Sequence, residues 1–205
     1  MTGEPSGGHL DEATARTRRR WDRMAAGYDR RGDGMERWII GDTRARLCEQ
    51  ARGRTLEIAV GTGRNLGHYR EDAELTGIDL SPEMLAAARR RAAGLKRPLD
   101  LREGDAQKLP FDDGSFDTVV CTLSLCTIPD QRSAVAEMHR VLRPEGRLLL
   151  VDHIEYTRVP FRWIEHLRAA PRRRPLELVV EQGFAVERHD RLALGFVDRV
   201  VARRR

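Results

Sequence analysis

A chain of 205 residues, 40% of them apolar, has the length and composition for one domain with a full-sized core. No apolar run approaches the ~18 residues of a membrane span, and "MTGEPSGGHL" lacks the basic and apolar regions of a signal peptide. The net charge of +5 rests almost wholly on Arg, in runs far apart with acids close by, and reads as solvated surface rather than a phosphate-binding face.

Residues 1–10 carry Gly, Pro and Ser and are expected to be disordered. A helical cap over 11–50 follows, broken around "GYDRRGDG", and a core over 51–155 then alternates strand and helix. "RTLEIAV" reads as a buried strand, "RNLGHYR" as a short helix after a glycine turn, and "AELTGIDL" as a second strand. "SPEMLAAARRRAAG" reads as a helix with Ser81 at the N-cap, Pro82 at N1 and Gly94 as the stop. "PLDLREGD" and the β-branched "SFDTVVCTLS" are the third and fourth strands. A helix over 130–142 puts Val135, Met138 and Leu142 on one face, and the "RPEG" turn leads into a fifth strand, "RLLLVDH". Residues 156–205 supply a lid, a helix near 175–182 and two closing strands, "AVERHDRL" and "GFVDRVVAR". The alternation implies an open, mostly parallel sheet covered on both faces.

In such a sheet, ligands sit beyond the carboxyl ends of the strands, where strand order reverses. Gly61 and Gly63 leave bare backbone at the first turn, and the helix after it is expected to aim N–H groups at the ligand. Asp79, ending the second strand, suits a ribose diol. A dinucleotide fingerprint needs a third glycine where Leu66 stands, which weakens a nicotinamide reading. Glu57 precedes the glycines and suits a cationic amino group, directly or through water. Asp105 follows the third strand and suits an adenine amine, with the Ala106 N–H serving the ring. An adenosine joined to an amino-acid ammonium describes S-adenosylmethionine.

In order along the chain, "LEIAVGTGRNL", "GIDLSPEML", "EGDAQKLPFDDGSFDTVVCTLSLCTIPD" and "LRPEGRLLLVDH" resemble the motifs of class I S-adenosylmethionine-dependent methyltransferases. The resemblance covers residues 21–153 and is strongest to the small UbiE-like branch, with a likeness to thiol methyltransferase-like relatives. It implies a single Rossmann-like, doubly wound α/β domain with a mostly parallel seven-stranded sheet, an antiparallel C-terminal strand and N-terminal helices over the cofactor. By the same resemblance, Gly61 and Gly63 line the methionine part of the cofactor with Glu57 behind, and Tyr28 of "WDRMAAGYDR" lies near that end. Asp79 takes the ribose, Leu80 and Met84 pack on the adenine, Asp105 and Ala106 hold its edge, and Leu123 and Ser124 close the pocket. Ala59 and Glu145 stand where the family usually has Gly; Ala59 is expected to press slightly on the cofactor, and Glu145 to be harmless.

A sulfonium is already an activated electrophile, so the chemistry requires no metal. His153, ending the fifth strand, is either a base near neutral pH or a histidine that only packs there, and Tyr28 is a second catalytic candidate. Cys121 and Cys126 read as small apolar fillers, and with Cys48 they form no zinc ligand set by spacing, as expected of reduced thiols in a cytoplasmic protein. The segment "YTRVPFRWIEHLRAAP" suits either a lid over a small acceptor or plain packing. The leading reading is methyl transfer to a thiol, amine or hydroxyl of a small molecule, with S-adenosylhomocysteine as product. The alternatives are an RNA methyltransferase, disfavoured by the absence of Pro-Pro-aromatic and Pro-Cys signatures, a non-catalytic cofactor-binding protein, and a nicotinamide enzyme.

Overall fold

The computed structural model describes residues 10–30, 40–95, 97–154 and 174–205. Seven strands form one sheet: β1 (Arg54–Ile58), β2 (Glu74–Asp79), β3 (Leu99–Glu103), β4 (Phe116–Thr122), β5 (Leu142–His153), β6 (Ala185–Leu192) and β7 (Val197–Arg203). Their order is β3-β2-β1-β4-β5-β7-β6, with β7 antiparallel to both neighbours and the other pairings parallel. The chain runs outward from β1 to β3, then crosses back to β4 on the other flank of β1. That reversal opens a crevice at the carboxyl ends of β1 and β4.

Both faces of the sheet are buried along its central strands, as their near-continuous apolar runs require. Leu148 and Leu150 of β5 join a core with Val135 and Met138 of α4 (Gln131–Val141) and Leu178 and Val179 of α5 (Pro175–Glu181). Leu149 and Val151 point the other way, into a core with Leu47 of α2 (Thr43–Cys48) and Leu85 and Ala88 of α3 (Pro82–Ala92). The cap read from sequence holds, Ser81 accepting from the Met84 N–H with Pro82 following, and α4 has a cap of the same kind in Asp130, which accepts from the Ser133 N–H. Here α1 (Glu12–Ala25) packs against α3 and bonds to the sheet's carboxyl edge through Asp22 to Ser81 and Thr14 to Gln107.

Three local expectations change. The first strand ends at Ile58, because Ala59 turns to φ +51° and leaves the extended region. In place of a helix able to aim N–H groups at a ligand, the glycine turn is followed by a single 3-10 turn, Leu66–His68. The "RPEG" turn lies inside β5 as a bulge, where the ladder shifts from Phe116↔Leu142 to Thr118↔Arg147 and Glu145 adopts φ +63°. That angle costs an L-residue energy, so the Glu145 departure carries strain. The lid expected over 156–171 lies outside the described residues, as do residues 1–9 of the terminus expected to be disordered. Among the described residues, no helix is long and apolar enough to cross a membrane.

Candidate active site

Two adjoining hollows open beneath α1 at the carboxyl ends of the central strands. The first, about 530 Å³, is lined by Tyr28, Glu57, Ala59, Gly61, Asp79, Met84, Leu123 and Ser124 among others. The second, about 410 Å³, is lined by Ala59, Asp79, Leu80, Asp105 and Ala106, with Thr17 and Trp21 of α1 above. Trp21, Ala59, Asp79 and Thr127 belong to both walls, so the hollows meet around Asp79. Of the site residues expected from sequence, only Gly63 and His153 line neither hollow.

The two glycines of the turn do different work. Gly61 has φ +58°, and an added Cβ there would meet only the Ala59 carbonyl at 3.9 Å, so its space belongs to the hollow. Gly63 has φ +80°, and a Cβ would stand 2.6 Å from Leu66 Cδ1 and 3.2 Å from Ala88 Cα. Its missing side chain lets the turn press on α3. Asp79 ties the turn to β2, accepting from the Gly61 N–H at 2.8 Å and the Ser81 N–H at 2.9 Å. Burial pushes the Asp79 carboxyl up to about 6, although those backbone N–H groups pull the other way. Asp105 accepts from the backbone and side-chain N–H groups of Gln107, which also reaches Thr14 of α1.

Glu57 forms the buried floor of the first hollow, 2% exposed. Its carboxylate accepts from Asn65 Nδ2 at 2.8 Å and from the Tyr69 hydroxyl at 2.9 Å. Arg44, also in the wall, donates to Asn65 Oδ1 and Thr122 Oγ1, both at 2.9 Å. Burial pushes the Glu57 carboxyl up to about 7, against the hydrogen bonds from Tyr69 and Asn65 and the Arg44 charge. Above, Tyr28 packs edge-on to Trp21 at 5.8 Å, with the Arg64 guanidinium 5.4 Å from its ring. Asp29 latches this segment to the turn through Thr62, Arg64 and Arg91 at 2.7–3.0 Å. Burial raises the Asp29 carboxyl, but these bonds and charges together hold it below its ordinary value.

Sequence reasoning missed Trp21, Arg44, Thr62, Arg64, Thr122 and Thr127, all of which line the first hollow. All but Arg44 stand inside segments quoted above: Trp21 in that of Tyr28, Thr62 and Arg64 in the glycine turn, Thr122 and Thr127 at and just past the end of the fourth strand. His153 is partly exposed, with Nδ1 3.6 Å from Asp152 Oδ1.

A family model described as a methyltransferase domain matches residues 56–150. A phosphatidylethanolamine N-methyltransferase of Cereibacter sphaeroides is 35% identical over 156 residues, covering 75% of this chain and 74% of the relative. The chain is a class I S-adenosylmethionine-dependent methyltransferase of the UbiE-like branch. A demethylmenaquinone methyltransferase of Deinococcus radiodurans is 40% identical over 48% of this methyltransferase, which spans only 42% of that relative's length. A solved methyltransferase of Aquifex aeolicus, described as dependent on S-adenosylmethionine, has the same fold, with a TM-score of 0.65 and 16% identity over 96% of this chain and 100% of that one. The cofactor of the family is S-adenosylmethionine, and the two hollows offer it a buried carboxylate, a carboxylate between their walls and an apolar slot.

Proposed function

We propose that the protein transfers a methyl group from S-adenosylmethionine to a nucleophilic sulfur, nitrogen or oxygen of a small-molecule acceptor by in-line displacement. The meeting of the two hollows at Asp79 carries this reading, because it sets a ribose-accepting carboxylate between an acidic pocket and an apolar one. In it, Glu57 faces the cationic amino group, Gly61 and Ala59 give it backbone, and Asp79 accepts from the ribose. Leu80 and Ala106 flank the adenine, Asp105 meets its amine through the capacity Gln107 leaves, and Met84, Leu123 and Ser124 close the pocket. Gly63 acts by packing the turn.

When bound, the cofactor supplies an activated methyl, and the chain's task is to hold the acceptor in line at about 3–3.5 Å and exclude water. In this reading Tyr28 orients the acceptor or takes its proton, supported by its position in the wall beside Arg64. His153 lines neither hollow, so a role for it as base requires the acceptor to extend beyond them. The relatives' names state a lipid amine and a quinone precursor as acceptors, and both are small molecules. Isothermal titration with S-adenosylhomocysteine, then a thiol, amine and phenol panel read by product formation, tests the proposal. Absence of cofactor binding removes it; binding without turnover on any acceptor favours a non-catalytic protein.

A further inference from the structure

Where β4 exits and β5 ends, the fold gathers a donor set that the sequence keeps apart. Cys126 Sγ, an Asp152 carboxylate oxygen and a His153 ring nitrogen all lie within 4.8 Å of one another. Asp152 is fully buried, while Cys126 and His153 are partly exposed. The carboxylate accepts the backbone N–H of both other residues, from Cys126 at 2.9 Å and from His153 at 2.6 Å. Those two bonds fasten the three donors into one unit and fix the carboxylate's orientation, as outer hydrogen bonds do at built metal centres. A second observation concerns charge. Directly across the antiparallel ladder from Asp152 stands Asp198, also fully buried, and neither of its carboxylate oxygens accepts a hydrogen bond. The Arg191 guanidinium Nε lies 3.5 Å from it and the His189 ring Nε2 3.2 Å. Two carboxylates opposed on one buried face repel each other, and a cation beside Asp152 offsets that repulsion.

We propose that Cys126, Asp152 and His153 bind a divalent transition-metal ion of the zinc class, with a fourth coordination position left for water or an acceptor atom. A mixed sulfur, nitrogen and oxygen donor set selects zinc or cobalt over magnesium or calcium. Bond lengths of about 2.0–2.3 Å put tetrahedral donors about 3.3–3.8 Å apart, so donors within 4.8 Å need close by only about an ångström. Binding displaces the thiol proton to solvent and leaves a metal-bound thiolate. Cys126 lies between Ser124 and Thr127, both in the wall of the first hollow, so the ion sits against that wall. The proposal does not depend on the acceptor reading, and its failure leaves methyl transfer untouched.

The test uses the full chain, stripped with a chelator and titrated with Co²⁺ and then Zn²⁺. A near-ultraviolet thiolate-to-cobalt absorption and visible bands are expected on Co²⁺ addition, with loss of both as Zn²⁺ displaces it. Cys126→Ser abolishes the charge-transfer band, and His153→Ala weakens the affinity by at least the ~10–100-fold typical of a lost supporting group. Both positions are partly exposed, so circular dichroism should report an intact fold. A wild-type protein without the band, or a band that survives in Cys126→Ser, overturns the proposal.

Discussion

Glu57→Gln should make the protein more stable at neutral and alkaline pH while weakening its hold on the cofactor. The Glu57 carboxyl is pushed up to about 7 by burial. Against the ordinary value of about 4.3, at about 1.36 kcal/mol per pKa unit, that displacement amounts to roughly 3–4 kcal/mol. Below about pH 4 the group is protonated in both folded and unfolded chains and costs nothing. As pH rises through about 7, the unfolded chain has already ionised, the folded one must follow, and the stability present at low pH is lost. Glutamine keeps the shape and never ionises. Its oxygen still accepts from Asn65, and the Tyr69 hydroxyl, which also bonds Cys48, can receive the amide N–H. Urea unfolding followed by Trp fluorescence at several pH values should therefore show the variant gaining on wild type by roughly 3 kcal/mol between about pH 4 and about pH 8. The same variant should bind S-adenosylhomocysteine more weakly, because the charge facing the amino group is gone. Parallel pH curves for the two proteins would refute the buried, proton-holding carboxyl. Undiminished affinity in a more stable variant would refute its role toward the cofactor.

Asp79→Asn should weaken binding of S-adenosylhomocysteine by about 1–3 kcal/mol in titration calorimetry, and an unchanged affinity in a folded variant would count against the ribose contact. The two glycines should separate: Gly63→Ala is expected to cost roughly 2–4 kcal/mol of unfolding free energy from the clash with Leu66 and Ala88 and its positive φ. Gly61→Ala, with open space around its Cβ, should cost only about 1–2 kcal/mol in stability and show its larger effect in cofactor affinity. Ala59→Gly and Glu145→Gly relieve φ values of +51° and +63°, and each should stabilise by about 0.5–1 kcal/mol after the added unfolded-state entropy. Loss of stability in both would show that backbone strain at these positions is negligible.

The sheet was legible in the sequence because its central strands are apolar runs buried on both faces and its strands are bounded by turn residues. "AVERHDRL" is strand β6 without a change of boundary, and the Ser81-Pro82 start of α3 is a local signal that no tertiary contact needs to supply. The positions of Asp79 and Asp105 were legible for the same reason, since Asp79 ends β2 and Asp105 follows β3, strands whose direction the alternation fixes. What depends on neighbours distant in sequence was not. Gly61 and Gly63 carry the same letter, and only the packing of α3 shows that one missing side chain leaves open space in the hollow and the other makes room for a helix. Glu57 is an acid in a strand until Asn65, Tyr69 and Arg44 surround it and burial decides its protonation.

Local propensity and hydrophobic period act over a few residues, so the sequence by itself determined the strand order's raw material, the caps and the position of the first turn. Convergence acts over tens of residues and has no signature along the chain. Cys126 meets Asp152 and His153 because β4 and β5 are parallel neighbours in matched register, so that their ends finish on the same side. Arg44 reaches Thr122 from a helix whose approach is set by the apolar face it buries. The tertiary structure therefore decided which polar side chains share a wall, and with that which of them hold protons, charge or a ligand.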